Sequence, residues 1–346
     1  MPHLYDMTLT EMQQWMADQG EPKYRAKQIF QWLYQRRAVS VEDMTNLSKA
    51  LRQRLGQEAT LGTSREVTRQ VSKVDGTVKF LLGWPDGVTV ETVLMRHEYG
   101  NSVCISTQVG CKMGCTFCAS TLGGMIRQMT AGEMVEQLLY SQRLLDESHE
   151  RVSSIVLMGS GEPMNNFDAA MKFIDIVNDP NGLNIGQRHI TISTVGLVPG
   201  IIRLADEGRP ITLAVSLHAA TDELRSSMMP VNKAYPIAKL MEACHYYHNK
   251  TGKRISFEYA LIGGKNDSLD DARRLARLLK GLPSHVNLIP VNYVPERNYH
   301  RTPKDQIQAF VNELRSLGVN ATVRREMGHD ISAACGQLRA EHAGKL

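Results

Sequence analysis

The sequence predicts an α/β fold in which repeated strand–helix units form a parallel sheet behind a smaller region of helices and antiparallel strands. Three observations support this prediction. After residue 130, short β-rich apolar runs alternate with amphipathic segments that open at helix-capping residues. Between residues 66 and 95, three strand-like runs are separated by the turn signals Asp75-Gly76 and Asp86-Gly87. The length of 346 residues suits about two domains.

The N-terminal region begins with helices and continues with strands. In one segment, apolar residues recur at spacings of three and four, which predicts an amphipathic helix; they are Ala26, Ile29, Phe30 and Leu33 within Tyr24–Arg37. A small antiparallel meander is predicted from strands at Glu66–Lys73, Thr77–Trp84 and Val88–Met95. We therefore assign residues 1–92 to an N-terminal α+β accessory domain and residues 93–346 to an α/β core.

Positive charge is concentrated in the N-terminal region. The whole chain has a net charge of +4, from 40 Lys and Arg and 36 Asp and Glu, which neither requires nor excludes a nucleic-acid partner. Residues 20–54 alone hold eight basic and three acidic residues, a local charge of +5. This segment is either a solvated helix face or a patch that contacts phosphate groups.

The α/β core shows about six strand–helix units. Strands are predicted at Ser154–Met158, His189–Ser193, Ile211–Leu217, Ile255–Leu261 and Val286–Ile289. Helices are predicted at about residues 131–147, 167–177, 199–206 and 236–249, and after Ser268 and Thr302-Pro303. This alternation implies parallel strands joined by right-handed crossovers. Six units fit a partial barrel better than a closed eight-unit barrel, and either architecture places the functional site at the carboxyl ends of the strands.

Composition restricts the class of protein. Hydrophobic residues make up 42% and charged residues 22%, which is ordinary for a soluble globular protein and excludes a mostly disordered, collagen-like or disulfide-knot chain. The first twenty residues contain Asp6, Glu11 and Asp18 and lack the apolar stretch of a secretory signal. No apolar run reaches the roughly 18 residues that span a bilayer. We therefore expect a soluble cytoplasmic protein without membrane contact, in which thiols stay reduced.

Cysteines provide the most specific chemical signal. Four of the six lie within fifteen residues, and three of them form the pattern C-x3-C-x2-C at Cys111, Cys115 and Cys118. Thiolates are soft ligands that suit zinc or an iron–sulfur cluster. A structural zinc site normally needs four ligands, and Cys104, seven residues upstream, is a candidate for the fourth. Three cysteines on a 4Fe-4S cluster instead leave one iron open to bind a small molecule, and the pattern favours this interpretation.

The C-x3-C-x2-C pattern ahead of a strand–helix chain resembles the radical S-adenosylmethionine (SAM) superfamily. Within it, the segment from Cys104 to Cys118 resembles the RlmN/Cfr methyltransferases. Further matching motifs follow in order at Met158-Gly-Ser-Gly-Glu162-Pro163, Ser193-Thr-Val-Gly196, Ser216-Leu-His218 and Asp330-Ile-Ser-Ala-Ala-Cys335-Gly-Gln-Leu338. The match covers nearly the whole chain, from the helix at Tyr24 onward. The resemblance implies a radical SAM barrel that methylates a carbon of an RNA adenine.

The resemblance also implies the cofactor-binding residues. Cys111, Cys115 and Cys118 would hold the 4Fe-4S cluster, whose open iron would be chelated by the amino and carboxylate groups of SAM. One electron from the cluster would then cleave SAM to a 5′-deoxyadenosyl radical. Contacts to SAM are implied at Gly161, Glu162, Ser193, Ser216, Leu217, His218 and Asn292. Without the resemblance, the Gly-Pro motif and Asn292 would indicate turns, and His218 would be interpreted as a buried, hydrogen-bonded histidine.

Methylation of this carbon requires more than SAM alone. Carbon 2 of adenine is not nucleophilic, whereas a protein thiolate can take the methyl group of SAM. The family mechanism has Cys335 accept this methyl group from a first SAM, after which the radical from a second SAM removes one of its hydrogens. The resulting S-methylene radical adds to adenine and links RNA to protein.

Release of the product requires a base and a second thiol. Glu91 matches the proton acceptor of the family, and Cys104 matches the resolving thiol that forms a transient disulfide with Cys335. Taken without the resemblance, Glu91 would be an exposed strand residue, Cys104 a buried strand residue and Cys335 a small buried hydrophobe. Cys244 matches no family motif and is interpreted as a packing residue.

Substrates and regiochemistry follow from the subgroup that the chain resembles. Glu162-Pro163 favours the RlmN type, which methylates carbon 2 of adenine in 23S rRNA in the peptidyl-transferase region and of the adenine beside the tRNA anticodon. The implied partners are these RNAs and an electron donor such as a flavodoxin-type reductant, and we expect a monomer. Two alternatives stay open: a carbon-8 methyltransferase of the Cfr type, and an iron–sulfur or zinc protein that only binds RNA. Arg324 and Arg325 contact either phosphate or surface water.

Overall fold

Residues 1–331 are described by the structure, a computed structural model. Three helices come first: α1 (Leu9–Asp18), α2 (Lys23–Tyr34) and α3 (Lys49–Glu58). Helix α1 begins at a capping box, in which the Thr8 side chain accepts the backbone N–H of Glu11 and the Glu11 carboxylate accepts that of Thr8. The predicted apolar stripe of α2 is fully buried, because it packs into the main core of the molecule.

The remaining elements follow in chain order, and strands and helices alternate after residue 130 as predicted. The strands are β1 (Arg65–Val71), β2 (Val78–Gly83), β3 (Thr89–His97), β4 (Gly100–Cys104), β5 (Gln108–Gly110), β6 (Met125–Gln128), β7 (Val152–Leu157), β8 (Ile190–Thr194), β9 (Thr212–Ser216), β10 (Ile255–Leu261), β11 (Ser284–Pro290) and β12 (Ala321–Val323). The later helices are α4 (Ala131–Asp146), α5 (Phe167–Asn178), α6 (Val198–Asp206), α7 (Asp222–Met228), α8 (Ile237–Thr251), α9 (Leu269–Leu278) and α10 (Lys304–Ser316).

Ten strands form one sheet in the order β1-β2-β3-β4-β7-β8-β9-β10-β11-β12. From β4 to β12 in this order, each strand runs parallel to the next, and each of the six before β12 is followed by a helix that returns the chain to the next strand. The two outermost strands, β1 and β12, lie at opposite ends of the order, so the barrel is not closed. The predicted partial barrel of six strand–helix units, with an N-terminal α+β region, is confirmed.

The antiparallel meander extends the parallel sheet. Strand β3 pairs with β4, with Val93 opposite Cys104, and it runs without interruption through residue 92, where we placed the domain boundary. Phe30 and Tyr34 of α2 belong to the same buried cluster as Phe173 of α5. The N-terminal helices and the strand–helix units therefore share one apolar core, and the boundary at residue 92 stays a prediction.

The two faces of the parallel sheet differ in chemistry. Residues such as Ile192, Val215 and Leu288 point one way and pack in the apolar core under the helices. The alternate residues, which include Ser193 and Ser216, point to a cavity on the other face. This polar inner face positions the site described next. Within the described part of the chain, no helix is both long and apolar enough to cross a membrane.

Candidate active site

A cavity of about 700 Å³ lies at the carboxyl ends of the parallel strands. Its lining includes most of the residues that the sequence singled out, namely Cys104, Cys111, Cys115, Cys118, Gly161, Glu162, Ser193, Ser216, His218 and Asn292. Leu217 is an exception, since its side chain is buried in the apolar core. Cys335, the implied methyl carrier, lies outside the described residues. The cavity thus brings together side chains from strands and loops that are far apart in sequence.

Backbone hydrogen bonds hold the loop that carries the three cysteines at its start and near its middle. Cys111 N–H donates to the carbonyl of Gly124 (3.0 Å), and Thr116 N–H donates to the carbonyl of Met228 (2.9 Å). Gly110 precedes the loop at φ 74°, and a Cβ there would lie 1.9 Å from the Gly124 carbonyl oxygen, so only glycine fits. Within the loop, the Thr121 hydroxyl donates to the carbonyls of Cys115 (3.0 Å) and Cys118 (2.9 Å).

The three thiols affect each other electrostatically. Burial raises the pKa of Cys111 to about 11, and the charge of Cys118 contributes to this shift. Burial raises the pKa of Cys115 still more, and both other thiols add to this shift. Three such groups become thiolates together only beside a compensating cation, so this donor set fits an iron–sulfur cluster. No group of three or more His, Cys, Asp or Glu within residues 1–331 has the close arrangement that would hold a single metal ion.

The turn after β7 packs tightly against the segment that follows β4. A Cβ on Gly159 would lie 2.5 Å from the Ser106 hydroxyl, and one on Gly161, at φ 107°, would lie 2.6 Å from Cβ of Gln108. The carbonyl of Ser160 accepts the backbone N–H groups of Thr107 and Gln108 at 2.9 and 3.1 Å. Both glycines are therefore needed to place the following carboxylate at the cavity wall.

Glu162 is a buried acid at that wall. Its two carboxylate oxygens accept the backbone N–H groups of Val195 (2.8 Å) and Met164 (3.1 Å). Burial nevertheless raises the pKa of Glu162 to about 7, since these hydrogen bonds only partly offset the loss of solvent. An ammonium group placed beside it in the cavity would favour the ionised carboxylate.

His218 is a neutral hydrogen-bond donor in this cavity. Its Nδ1 accepts the backbone N–H of Ala260 (2.9 Å), which leaves the ring proton on Nε2. Burial lowers the pKa of His218 to about 3, and the charge of Arg225 acts in the same direction. The ring meets Phe117 of the cysteine loop edge to face, with 4.8 Å between centroids. Its backbone adopts the left-handed conformation, with φ 57°, which turns the side chain inward at the end of β9.

Cavity residues that sequence reasoning missed include Glu258 on β10. This side chain accepts hydrogen bonds from Asn287 Nδ2 (2.8 Å) and the Ser256 hydroxyl (3.0 Å), and burial raises its pKa. The sequence did contain a signal for Glu258, because an acidic residue in the middle of an otherwise buried parallel strand is rare. Arg324 and Arg325, for which contact with phosphate or water was left open, also line the cavity.

Cys104 and Glu91 lie on neighbouring strands. Burial raises the pKa of Cys104 to about 11, to which the negative charge of Glu91 contributes. Taken alone, Glu91 was expected to be an exposed strand residue, and this is wrong: its side chain is 8% exposed. Residues alternate along β3, so Glu91 shares a face with Val93, which lines the cavity, although Glu91 itself does not. It forms an ion pair with Lys79 of β2. All five cysteines in residues 1–331 are free thiols.

The basic N-terminal segment presents arginines stacked on aromatic rings. The guanidinium of Arg25 lies 4.9 Å from the ring centroid of Tyr24, and that of Arg36 lies 4.5 Å from Trp32. Arg36 and Tyr24 are exposed. Such pairs offer a flat cationic surface that suits bases and phosphates.

Two family models match the chain. "Ribosomal RNA large subunit methyltransferase N-terminal domain" matches residues 3–61, and "Radical SAM superfamily" matches residues 105–279. A "Probable dual-specificity RNA methyltransferase RlmN" of Geobacillus kaustophilus is 59% identical over 341 residues, which cover 99% of this chain and 93% of the relative. The protein of that name from Staphylococcus saprophyticus is 60% identical over 338 residues, which cover 98% and 93%. Among solved structures, a radical SAM methyltransferase from Sphaerobacter thermophilus matches with a TM-score of 0.94 at 47% identity, over 97% of this chain and 99% of that one.

Proposed function

The chain belongs to the RlmN family of radical SAM RNA methyltransferases, and on this premise we propose that it methylates carbon 2 of adenine. The proposed substrates are 23S rRNA in the peptidyl-transferase region and the adenine beside the anticodon of tRNAs. The observation that carries this proposal is the single cavity on which the cysteine loop, Glu162 and the strand-end side chains converge. The words "dual-specificity" in the names of both relatives support two classes of RNA substrate.

Within this proposal, Cys111, Cys115 and Cys118 hold a 4Fe-4S cluster. When bound, the cluster supplies the electron that converts SAM into a hydrogen-abstracting radical. The chain itself contributes binding and orientation. Glu162 receives the cationic ammonium of SAM, for which its buried carboxylate is suited. His218 offers its Nε2 proton to an acceptor in the cavity.

The other implied SAM contacts divide by their position. Ser193 and Ser216 lie at the carboxyl ends of adjacent strands and face the cavity, and Asn292 follows β11 at the same end, so each can bond to the ligand directly. The backbone of Leu217 is already engaged: its N–H donates to the Glu258 carbonyl and its carbonyl accepts Arg225 Nε. We therefore propose that Leu217 fixes the positions of the adjacent residues through its backbone hydrogen bonds and its side chain in the core.

Two thiols and a base complete the proposed reaction. Cys335 takes a methyl group from a first SAM and, after the radical from a second SAM removes a hydrogen, carries the carbon that bonds to adenine. The adduct radical formed by this addition would return one electron to the proposed cluster, and Glu91 takes the ring proton. The Cys104 thiolate attacks the sulfur of Cys335, which forms the disulfide between them and breaks the sulfur–carbon bond. The released carbon takes up a proton and becomes the methyl group of the product. The electron donor that resets the enzyme is proposed to be of flavodoxin type, and the enzyme is proposed to act as a monomer.

The experiment that tests the function maps methylated adenine in RNA. The protein is reconstituted anaerobically with iron and sulfide and incubated with SAM, a reductant and either a 23S rRNA fragment or tRNA. Nuclease digestion and mass spectrometry should find 2-methyladenosine in both RNAs. 8-Methyladenosine would instead support the Cfr type, and 2-methyladenosine in one RNA only would limit the substrate class. No methylated adenosine in either RNA would contradict the proposal.

A further inference from the structure

Arg225 of α7 is a completely buried cation outside the cavity lining. Its guanidinium donates to the backbone carbonyls of Leu217 (3.1 Å), Val195 (2.6 Å) and Ser216 (3.1 Å) and to the side-chain oxygen of Asn232 (2.8 Å). All four acceptors are neutral. The guanidinium of Arg225 therefore makes several hydrogen bonds, but these neutral partners do not neutralise its positive charge.

The described polypeptide provides Arg225 with little negative charge. Within residues 1–331, no carboxylate forms an ion pair with it, although a buried arginine normally has such a partner. The nearest acid in sequence is Asp222, whose carboxylate accepts the side-chain amide of Asn232 (2.9 Å) and the backbone N–H of Ile237 (2.8 Å). Burial accordingly lowers the pKa of Arg225 to about 10, against favourable charges from Cys115 and, more weakly, Asp222. A cation buried in this way needs a further anion nearby.

The helix of Arg225 packs directly on the cysteine loop. The carbonyl of Arg225 accepts the N–H of Met229 (2.7 Å), and the carbonyl of Met228, three residues after Arg225, accepts the backbone N–H of Thr116 (2.9 Å). Met228 and Met229 share one apolar cluster with Cys115. The geometry therefore puts the unneutralised guanidinium behind the wall formed by the cysteine loop.

We propose that Arg225 is the buried counter-ion of the iron–sulfur cluster. As a positioning residue, it raises the reduction potential of the cluster and helps the protein to retain the cluster. This inference rests on the proposed cluster at Cys111, Cys115 and Cys118. Three thiolates around a 4Fe-4S core give a negatively charged group in both oxidation states, and reduction adds one further negative charge. A fixed cation therefore stabilises the reduced state more than the oxidised state, which makes reduction easier.

The test compares charge with hydrogen bonding at this position. Arg225→Met removes both, Arg225→Gln keeps amide donors for the strand-end carbonyls but removes the charge, and Arg225→Lys keeps the charge. Arg203→Met is the matched control, because Arg203 is a half-exposed arginine of α6 that pairs with Asp168. Each full-length protein is reconstituted anaerobically without SAM. The midpoint potential is measured by a redox titration monitored by electron paramagnetic resonance, alongside iron content and thermal unfolding.

We expect more negative midpoint potentials for Arg225→Gln and Arg225→Met, and unchanged potentials for Arg225→Lys and Arg203→Met. Folded neutral variants that retain no iron, while Arg225→Lys retains it, would support the same conclusion. Three results would overturn the proposal, since Arg225 would then only hold the loops. They are unshifted potentials in the neutral variants, a shift in Arg225→Lys equal to that in the neutral variants, and loss of cooperative unfolding in both neutral variants. Failure of the unaltered protein to take up iron and sulfide would instead refute the proposed cluster itself.

Discussion

The ammonium of Lys79 lies 3.4 Å from the carboxylate of Glu91, and neither side chain is more than 8% exposed. The two residues come from the neighbouring strands β2 and β3, on the face that Val93 directs to the cavity. Burying two charges is costly, so a pair of this kind is retained only where its geometry is favourable or its charge is used. For the proposed base, the ammonium restricts the orientation of the carboxylate.

Replacing Lys79 by Met is expected to slow product release while Cys335 is still methylated. Without this cation, the Glu91 carboxylate loses the partner that fixes its position, and removal of a proton from carbon needs a positioned base. Positioned bases contribute about 100- to 10,000-fold, so we expect release at least about tenfold slower. The covalent protein–RNA adduct is measured on denaturing gels, and methylation of Cys335 by mass spectrometry.

Two further variants separate catalysis from stability in this pair. Glu91→Gln should accumulate the same adduct. Lys79→Met should lower the free energy of unfolding by about 3–5 kcal/mol, because one buried charge loses this partner, and the double variant Lys79→Met/Glu91→Met should recover part of that loss without restoring release. Normal turnover by Lys79→Met would assign the pair to packing alone.

The two proposed reaction thiols should give different defects. Cys335→Ala is expected to abolish methyl transfer and leave the iron content unchanged, since it removes the methyl carrier and none of the proposed cluster ligands. Cys104→Ala is expected to accumulate covalent protein–RNA adduct, because no thiol then attacks the sulfur of Cys335. Cys244→Ala is the matched control, as Cys244 is a buried cysteine of α8 away from the cavity. Free methylated RNA at normal yield from Cys104→Ala would refute its resolving role.

Glu162 predicts a pH dependence in the absence of ligands. Burial raises its pKa from 4.5 to about 7, so the folded chain binds this proton more tightly than the unfolded chain. The free energy of unfolding should therefore fall as the pH rises from about 4.5 to 7, by about 3 kcal/mol at most. SAM binding should strengthen as the pH passes through this range, since the carboxylate must be ionised to pair with the ammonium.

Denaturant unfolding and calorimetric titration with SAM over this pH range check both effects. Glu162→Gln should remove this contribution to the pH dependence of unfolding and weaken SAM binding at all pH values. Glu147→Gln, at an exposed acid at the end of α4, should change neither. The assignment fails if Glu162→Gln binds SAM as tightly as the unaltered protein at pH 8.

Local patterns in the sequence predicted the helices and strands well. The structure differs from the predictions where an environment depends on the pairing of segments that are distant in sequence. Ile255–Leu261 occurs with the predicted bounds because β propensity and the flanking turn residues act locally. The convergence of Ser193 and Ser216 followed from the rule that parallel strands end on one side. The burial of Glu91 could not be predicted, since it depends on the pairing of β3 with both β2 and β4. The environment of Arg225 likewise depends on three carbonyls from two separate segments of the chain.

The basic N-terminal segment should contribute to RNA affinity and not to chemistry. Arg36 stacks on Trp32 at the exposed end of α2, where its guanidinium can reach a phosphate or a base. Each lost phosphate contact reduces the slope of log K against log salt by about 1, so Arg36→Ala should weaken RNA binding at low salt and flatten this slope. KM for RNA should rise with kcat unchanged, because the interaction is the same in the ground state and the transition state. Arg274→Ala, which removes an exposed arginine of α9 paired with Asp270, is the matched control. Equal affinity and an equal salt slope in the two variants would show that the segment at residues 20–54 is only a solvated face.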